Sequence, residues 1–310
     1  MRKHHPETNK HSSLTTFHLH HGDGVAGMER LEAGSVDVVV TSPPYNLGVK
    51  YSAYHDSRAW TEYLNWSAHW ARAVWRVLRS ESGALFLNVG GSPSQPLLPH
   101  WLACKFSEVF VLQNTFHWIK AITVATPQGR EISAGHFKPI NSARFVNDCH
   151  EYVFHFTKTG RVPIQRRAEG VGVAYADKSN IARWQHTKIN GEGGGGGENG
   201  ATGVIGERLD RRCRGNTWFV PYETIQSRER ERPHPATFPV ALAERCLRLH
   251  EVGERSTVLD PFLGIGSSAL AARNCDAARF LGFEIDAEYL RIARERLEVF
   301  KSQAQLAGAI

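Results

Sequence analysis

The run Val36-Asp37-Val38-Val39-Val40, continued at once by Thr41-Ser42-Pro43-Pro44-Tyr45-Asn46, leaves this chain few ways to fold. A β-branched apolar run reads as a strand buried on both faces of a sheet, which calls for helices on either side. The residues after it cannot prolong that strand. Consecutive prolines remove two backbone donors and restrict the residue before each of them. The chain must leave the sheet in one stiff corner, with Ser42, the proline carbonyls and the Tyr45 ring held at a strand's C-terminal end. In open α/β sheets ligands bind at that end. Taken alone, the six residues fit an ordinary packing corner equally well.

A second stretch repeats the pattern and changes those odds. Val258-Leu259-Asp260 predicts a strand, Pro261-Phe262-Leu263-Gly264-Ile265-Gly266 a tight turn, and Ser267 the start of a helix. Further on, Phe280-Leu281-Gly282-Phe283-Glu284 supplies another apolar strand ending in a carboxylate. Glycines at 264 and 266 let backbone approach a ligand closely, and the helix N-terminus offers free amides. An acid such as Glu284, closing the next strand, can accept both hydroxyls of a ribose. A Gly-x-Gly turn alone is weak evidence, because the full dinucleotide fingerprint is missing. Upstream, Phe17-His18-Leu19-His20 alternates as a short strand and runs into the turn His21-Gly22-Asp23-Gly24.

Together these motifs resemble the amino-methyltransferase family that uses S-adenosyl-L-methionine to modify exocyclic amines of DNA bases. The Ser-Pro-Pro-Tyr form resembles the cytosine-N4 branch, and the similarity covers nearly the whole chain apart from roughly 160–215. The resemblance implies a Rossmann-like, doubly wound α/β sheet with an antiparallel edge hairpin. It implies Ser42, Pro43, Pro44 and Tyr45 as the catalytic set. Cofactor contacts carried over from the family motifs are Asp23, Thr41, His234, Pro235, Thr237, Asp260, Pro261, Phe262, Gly264, Gly266, Ser267 and Glu284. Asp23 would meet the adenine, and His-Pro-Ala at 234–236 would border the methionine part. The family's usual Ser-Gly-Thr is replaced here by Ile265-Gly266-Ser267, which touches side-chain contacts more than binding itself. The catalytic motif precedes the cofactor motif, so the halves are permuted relative to a cofactor-first order.

The implied activity is methylation of cytosine N4 in double-stranded DNA, in the setting of restriction and modification with a separate cognate endonuclease. Adenine N6 is the competing target, and a catalytically inactive DNA-binding homologue is a third reading; RNA- or protein-directed methylation fits less well. Cytosine-C5 chemistry needs a nucleophilic Cys, usually after Pro, and the chain has no Pro-Cys pair.

The organisation expected along the chain is a catalytic half at 1–159, a target-recognition insert at 160–232, and a cofactor-binding half at 233–310. A helix is expected over 60–78, a buried strand at 84–89, a helix near 97–106, and long strands at 109–119 and 151–157. The segment 46–58, with Lys50, Tyr51, Tyr54, His55 and Arg58, suits either a loop closing on a flipped base or a plain solvated loop. Lys120–His150, carrying Lys120, Arg130, Lys138 and Arg144, reads as a DNA-facing or lid segment because long loops in compact domains are usually functional or disordered. The insert gathers arginines with Trp184 and Trp218 around the linker-like run Gly193–Gly197. Thr237 or a neighbour is placed to cap a helix with Pro239 early in it.

Composition adds bounds. Hydrophobic residues at 41% and charged residues at 22% describe an ordinary soluble chain of 310 residues. No apolar run approaches the ~20 residues of a membrane span, and Met1-Arg2-Lys3-His4-His5 is no signal peptide; a cytoplasmic location is expected. The net charge of +6 agrees with a polyanionic partner without requiring one. Five scattered cysteines read as reduced thiols, and sixteen histidines show no ligand spacing, so no metal is expected.

Overall fold

The computed structural model describes residues 15–49, 53–54, 56–125, 129–135, 141–168, 171–172, 211–221 and 237–307. The elements are, in order, β1 (Thr16–His21), α1 (Gly24–Glu29), β2 (Val38–Thr41), α2 (Trp60–Val77), β3 (Ala84–Val89), α3 (Leu98–Phe106) and β4 (Val111–Ile119). Then come β5 (Ala121–Ala125), β6 (Glu131–Gly135), β7 (His150–Thr157), β8 (Val171–Gly172), β9 (Arg211–Arg212) and β10 (Thr217–Phe219). The last are α4 (Val240–Leu249), β11 (Thr257–Asp260), α5 (Ser267–Asn274), β12 (Arg279–Glu284) and α6 (Ala287–Ala307).

Eight strands form one mixed sheet in the order β1-β12-β11-β2-β3-β7-β4-β10. Only β7 is reversed in it, running antiparallel to both β3 and β4. From β2 the chain crosses through α2 to β3 on one side. From β11 it crosses through α5 to β12 on the other. The winding therefore reverses between β2 and β11, which pair in parallel as Val38 with Val258 and Val39 with Leu259. In such sheets the crevice at the reversal, outside the strand C-termini, is the place for a ligand.

Alternation along the strands divides the core. Val38, Val40, Val258 and Phe280 pack with Ala243, Leu247, Leu270 and Ala293 of α4, α5 and α6 on one face. Val39, Leu85, Leu87 and Leu259 pack with Met28, Trp70, Val74 and Leu102 of α1, α2 and α3 on the other. Helices covering both faces explain why the central strands are unbroken apolar runs. Trp70 is fully buried, its ring 4.6 Å from Phe106 and 5.3 Å from Phe262, so the helix layer is keyed to the loop after β11.

Three sequence expectations are corrected in detail. The antiparallel pair β4–β7 forms, but β10 lies outside it, pairing in parallel with β4 at Trp218 and Trp118. Trp218 is accordingly a core residue, 2% exposed and stacked on Phe116 at 4.1 Å, because the chain from 217 to 219 rejoins the main sheet. Finally, α4 is capped by Pro239 in extended conformation, with no side-chain cap from Thr237. The stretch 120–150 contains the small hairpin β5–β6, and Gly193–Gly197 and Trp184 lie outside the described residues.

Candidate active site

At the reversal, the ends of β2 and β11 are tied together by one buried bond. Thr41 Oγ1 donates to Asp260 Oδ1 at 2.6 Å, and Asp260 also accepts from Ser268 Oγ at 2.5 Å and from the Phe262 amide at 3.0 Å. Burial pushes the Asp260 carboxyl up to about 6, against the pull of these donors. Thr41 and Asp260 are thus hidden behind the wall of the crevice, where they fix how the two strand ends sit.

In front of them opens a cleft of about 1190 Å³, its mouth included. One rim is the proline corner, Ser42, Pro43, Pro44 and Tyr45; the opposite rim is Pro261, Phe262, Leu263, Gly264 and Ser267. Gly22, Asp23, Gly24, Thr237, Glu284, Ile285 and Asp286 complete the lining. Motifs more than two hundred residues apart therefore share a single opening. Of the residues carried over from the family pattern, Thr41, Asp260 and Gly266 do not line it, and His234 and Pro235 lie outside the described residues.

Local geometry explains why these residue types recur. A Cβ at Gly24 would come within 2.3 Å of the Pro261 carbonyl oxygen, so the turn after β1 and the turn after β11 touch backbone to backbone. Gly266 takes φ +83°, a conformation that favours glycine, and forms the N-cap of α5. Glu284 is buried at 8% exposure; Oε2 accepts from the Gly264 amide at 2.7 Å and Oε1 from the Asp286 amide at 2.9 Å. Burial raises its pKa above the ordinary carboxylate value despite those two bonds. Asp23 caps α1, accepting from the Ala26 amide at 2.9 Å, and still reaches the cleft.

The proline corner is braced from behind. Tyr63 Oη donates to the Pro44 carbonyl at 2.7 Å. Ser42 Oγ and Tyr45 Oη lie 2.8 Å apart. Tyr45 Oη in turn lies 3.2 Å from Glu151 Oε2, while Asn88 Nδ2 donates to both Tyr45 Oη at 2.7 Å and Glu151 Oε2 at 2.6 Å. Lys120 Nζ closes the chain by donating to Glu151 Oε1 at 3.0 Å, with both side chains about one-seventh exposed. Lys120 is therefore spent on an internal ion pair, which corrects its expected place on a DNA-facing segment.

Sequence reasoning missed Asn88, Lys120 and Glu151 as parts of the site, because nothing local in β3, β7 or the residue after β4 marks them. It left the loop 46–58 undecided; that loop has an ordered frame. Asp56, 3% exposed, accepts from the amides of Asn46, Leu47 and Val49, and the Asn46 side chain exchanges two bonds with the Arg58 backbone. The Arg58 guanidinium sits 5.4 Å from the Tyr54 ring centre and 5.3 Å from that of Trp66, all three lining the cleft. Among the described residues no cluster of metal-ligating side chains occurs, and no helix is long and apolar enough to cross a membrane.

A cleft at the reversal of a doubly wound sheet, with a proline corner on one rim and a glycine turn and buried acid on the other, defines a nucleotide-type transferase site. The family profile described as DNA methylase, of N6 and N4 type, matches residues 36–295, and the chain belongs to that family. Among its relatives, Type II methyltransferase M.ScaI of Streptomyces caespitosus is 28% identical over 291 residues, spanning 90% of this chain and 81% of that protein. DNA adenine methyltransferase YhdJ of Escherichia coli K12 is 25% identical over 286 residues, spanning 90% and 82%. The solved PvuII DNA methyltransferase (cytosine-N4-specific) shares the fold, with a TM-score of 0.60 at 18% identity, covering 91% of this chain and 86% of that one. The Thermus thermophilus protein TTHA0409, a DNA modification methylase by its description and solved in complex with S-adenosyl-L-methionine, has a TM-score of 0.52 at 25% identity, covering 91% and 93%.

Proposed function

We propose that this DNA methyltransferase transfers a methyl group from S-adenosyl-L-methionine to the exocyclic N4 of cytosine in double-stranded DNA. The observation that carries the reading is the shared rim: the Ser42–Tyr45 corner and the Phe262–Gly264 turn face one cleft. The residues present fit the cofactor. Glu284 would take the ribose hydroxyls, Asp23 the adenine amine, and the free amides at the start of α5 the polar methionine end. Phe262, Ile285 and Tyr289 offer apolar and aromatic walls for the purine. When bound, the sulfonium supplies an electrophilic methyl group.

The chain's own task is to make a poor nucleophile attack. The lone pair of a cytosine amine is delocalised into the ring. Ser42 Oγ and the Pro43 carbonyl would accept its two N–H groups, turning the nitrogen towards tetrahedral geometry and aiming the lone pair across the cleft. A base inside a duplex cannot reach this corner, so the target must be extruded, and Tyr45 would stack on it. Holding both reactants on one rim is catalysis by orientation. Adenine N6 presents the same amine geometry; the serine at 42, where the adenine branch more usually has Asp or Asn, favours cytosine. A place in restriction and modification belongs to the same proposal, supported by relatives named as Type II methyltransferases.

Digesting DNA methylated by the protein to nucleosides and identifying the product by mass spectrometry tests this. N4-methylcytosine is expected, and Ser42→Ala should lower the transfer rate by about 100-fold, within the range for a lost proton-handling group, while cofactor affinity stays within about twofold. N6-methyladenine would overturn the base assignment, and an unchanged rate in S42A would remove Ser42 from the chemistry.

A further inference from the structure

The family's two motifs provide nowhere for the departing proton to go. The network behind the proline corner does. We propose that Glu151 is the terminal proton acceptor of a relay Ser42–Tyr45–Glu151, held and polarised by Asn88 and Lys120. The proposal rests on the reading of Ser42 as acceptor of the target amine, for either base.

Hydrogen-bond direction carries the argument. Asn88 Nδ2 can only donate, and it gives one bond to Tyr45 Oη at 2.7 Å and one to Glu151 Oε2 at 2.6 Å. An ionised Glu151 can only accept, so at 3.2 Å the phenol points its own hydrogen towards Oε2. Tyr45 Oη then has its hydrogen committed and takes a second bond as acceptor, which makes Ser42 the donor of the 2.8 Å bond between them. With its hydrogen turned inward, Ser42 Oγ presents lone pairs to the cleft. The carboxylate thus makes a hydroxyl, which could otherwise donate, into the acceptor that an amine needs.

The same chain moves the proton. A nitrogen that has gained a methyl group carries one proton too many, and an arylammonium-type nitrogen is acidic enough for a carboxylate to serve as the final base. The N–H bond breaks with its electron pair left on nitrogen, and that proton joins Ser42 Oγ. Ser42's former hydrogen passes to Tyr45 Oη, and the phenolic hydrogen passes to Glu151 Oε2. Serine and tyrosine end as neutral hydroxyls, Glu151 as a carboxylic acid, which returns its proton to solvent between turnovers. No step requires an ionised phenol. Lys120, bonded to the other carboxyl oxygen at 3.0 Å, keeps Glu151 in place and charged before the transfer.

The backbone is shaped around this side chain. Gly90 comes directly after β3, and a Cβ there would lie 2.8 Å from Glu151 Cγ, 3.0 Å from Cδ and 3.2 Å from Oε1. Glu151 acts through Tyr45 and Ser42 without touching the substrate, so it is a positioning residue, and its test must separate that role from a merely structural one.

Single-turnover methyl transfer should be measured from pH 5 to 9 for wild type, Glu151→Gln, Glu151→Asp, Gly90→Ala and Tyr45→Phe, with dissociation constants for S-adenosylhomocysteine and DNA. Wild type should lose rate on the acid side as Glu151 becomes protonated. E151Q should be slower by about 100-fold and lose that acid limb, with both dissociation constants within about threefold of wild type. E151D should recover part of the rate together with the limb. G90A retains the charge but crowds the carboxylate, and should fall between wild type and E151Q. If E151Q does not fold, Y45F and G90A carry the test, Y45F being expected to lose the acid limb.

Combined in one chain, E151Q and Y45F should cost no more than the worse single change, as members of one unit do. An E151Q rate within threefold of wild type with the acid limb intact would overturn the relay, as would loss of rate matched by equal loss of binding. If S42A also keeps its rate, the reading of Ser42 itself has failed; if S42A is slow and E151Q is not, only the relay has.

Discussion

At the scale of single residues, Asp260 shows how a buried acid serves the site without entering it. Fully enclosed and bonded to Thr41, Ser268 and the Phe262 amide, it joins the last residue of β2 to the turn after β11. Its folded pKa of about 6 lies above the ordinary aspartate value because burial penalises the charge. The folded protein therefore binds a proton here between about pH 4 and 6 that the unfolded chain does not. By linkage this group makes the protein more stable as pH falls through 6. In urea unfolding at pH 7 and pH 5, the stability of wild type relative to Asp260→Asn should shift by about 1 kcal/mol in favour of wild type at the lower pH. Parallel pH dependences would show that Asp260 is already neutral or is not desolvated.

At the scale of elements, a second buried pair gives the opposite pH response. His155 of β7 stacks on Phe86, and its Nε2 meets His250 Nε2 at the end of α4 at 2.9 Å. Asn114 Nδ2 donates to His155 Nδ1 at 3.0 Å, so the network assigns the His155 proton to Nε2 and makes His250 Nε2 the acceptor. That arrangement needs both rings neutral, and burial holds them there, at about 3 for His155 and about 4 for His250. Both values lie below the unfolded one, so this stability is complete above about pH 6.5 and declines as pH falls towards the folded values. His250→Phe removes one of the two groups. Between pH 7 and 5 it should lose roughly 2 kcal/mol less than wild type does, measured by urea unfolding; an equal loss would contradict a buried neutral pair. The sequence placed β4 and β7 side by side, but it did not show that α4 lies across them with a histidine facing a histidine. That contact joins residues 95 positions apart and carries no periodic signature.

At the scale of the whole molecule, legibility depends on range. The strands β2, β3, β11 and β12 were readable because runs such as Val38-Val39-Val40 are apolar on both faces, and only a helix-covered parallel sheet tolerates that. The Ser-Pro-Pro-Tyr corner was readable because proline chemistry is local. Glu151 was not, since its meaning depends on Tyr45, 106 positions away, and on Gly90 leaving room for it. Trp218 misled because its neighbours in sequence look like an insert while its neighbours in space are Phe116 and Trp118. What the topology contributes is the reversal between β2 and β11, which lets a permuted order of motifs close on one opening. A crystal structure with S-adenosylhomocysteine bound tests that claim most directly. The ribose should lie on Glu284 and the sulfur should face Ser42 and Tyr45 across a gap that one amine would fill. A nucleoside bound away from Glu284, or a sulfur turned from the proline corner, would contradict it.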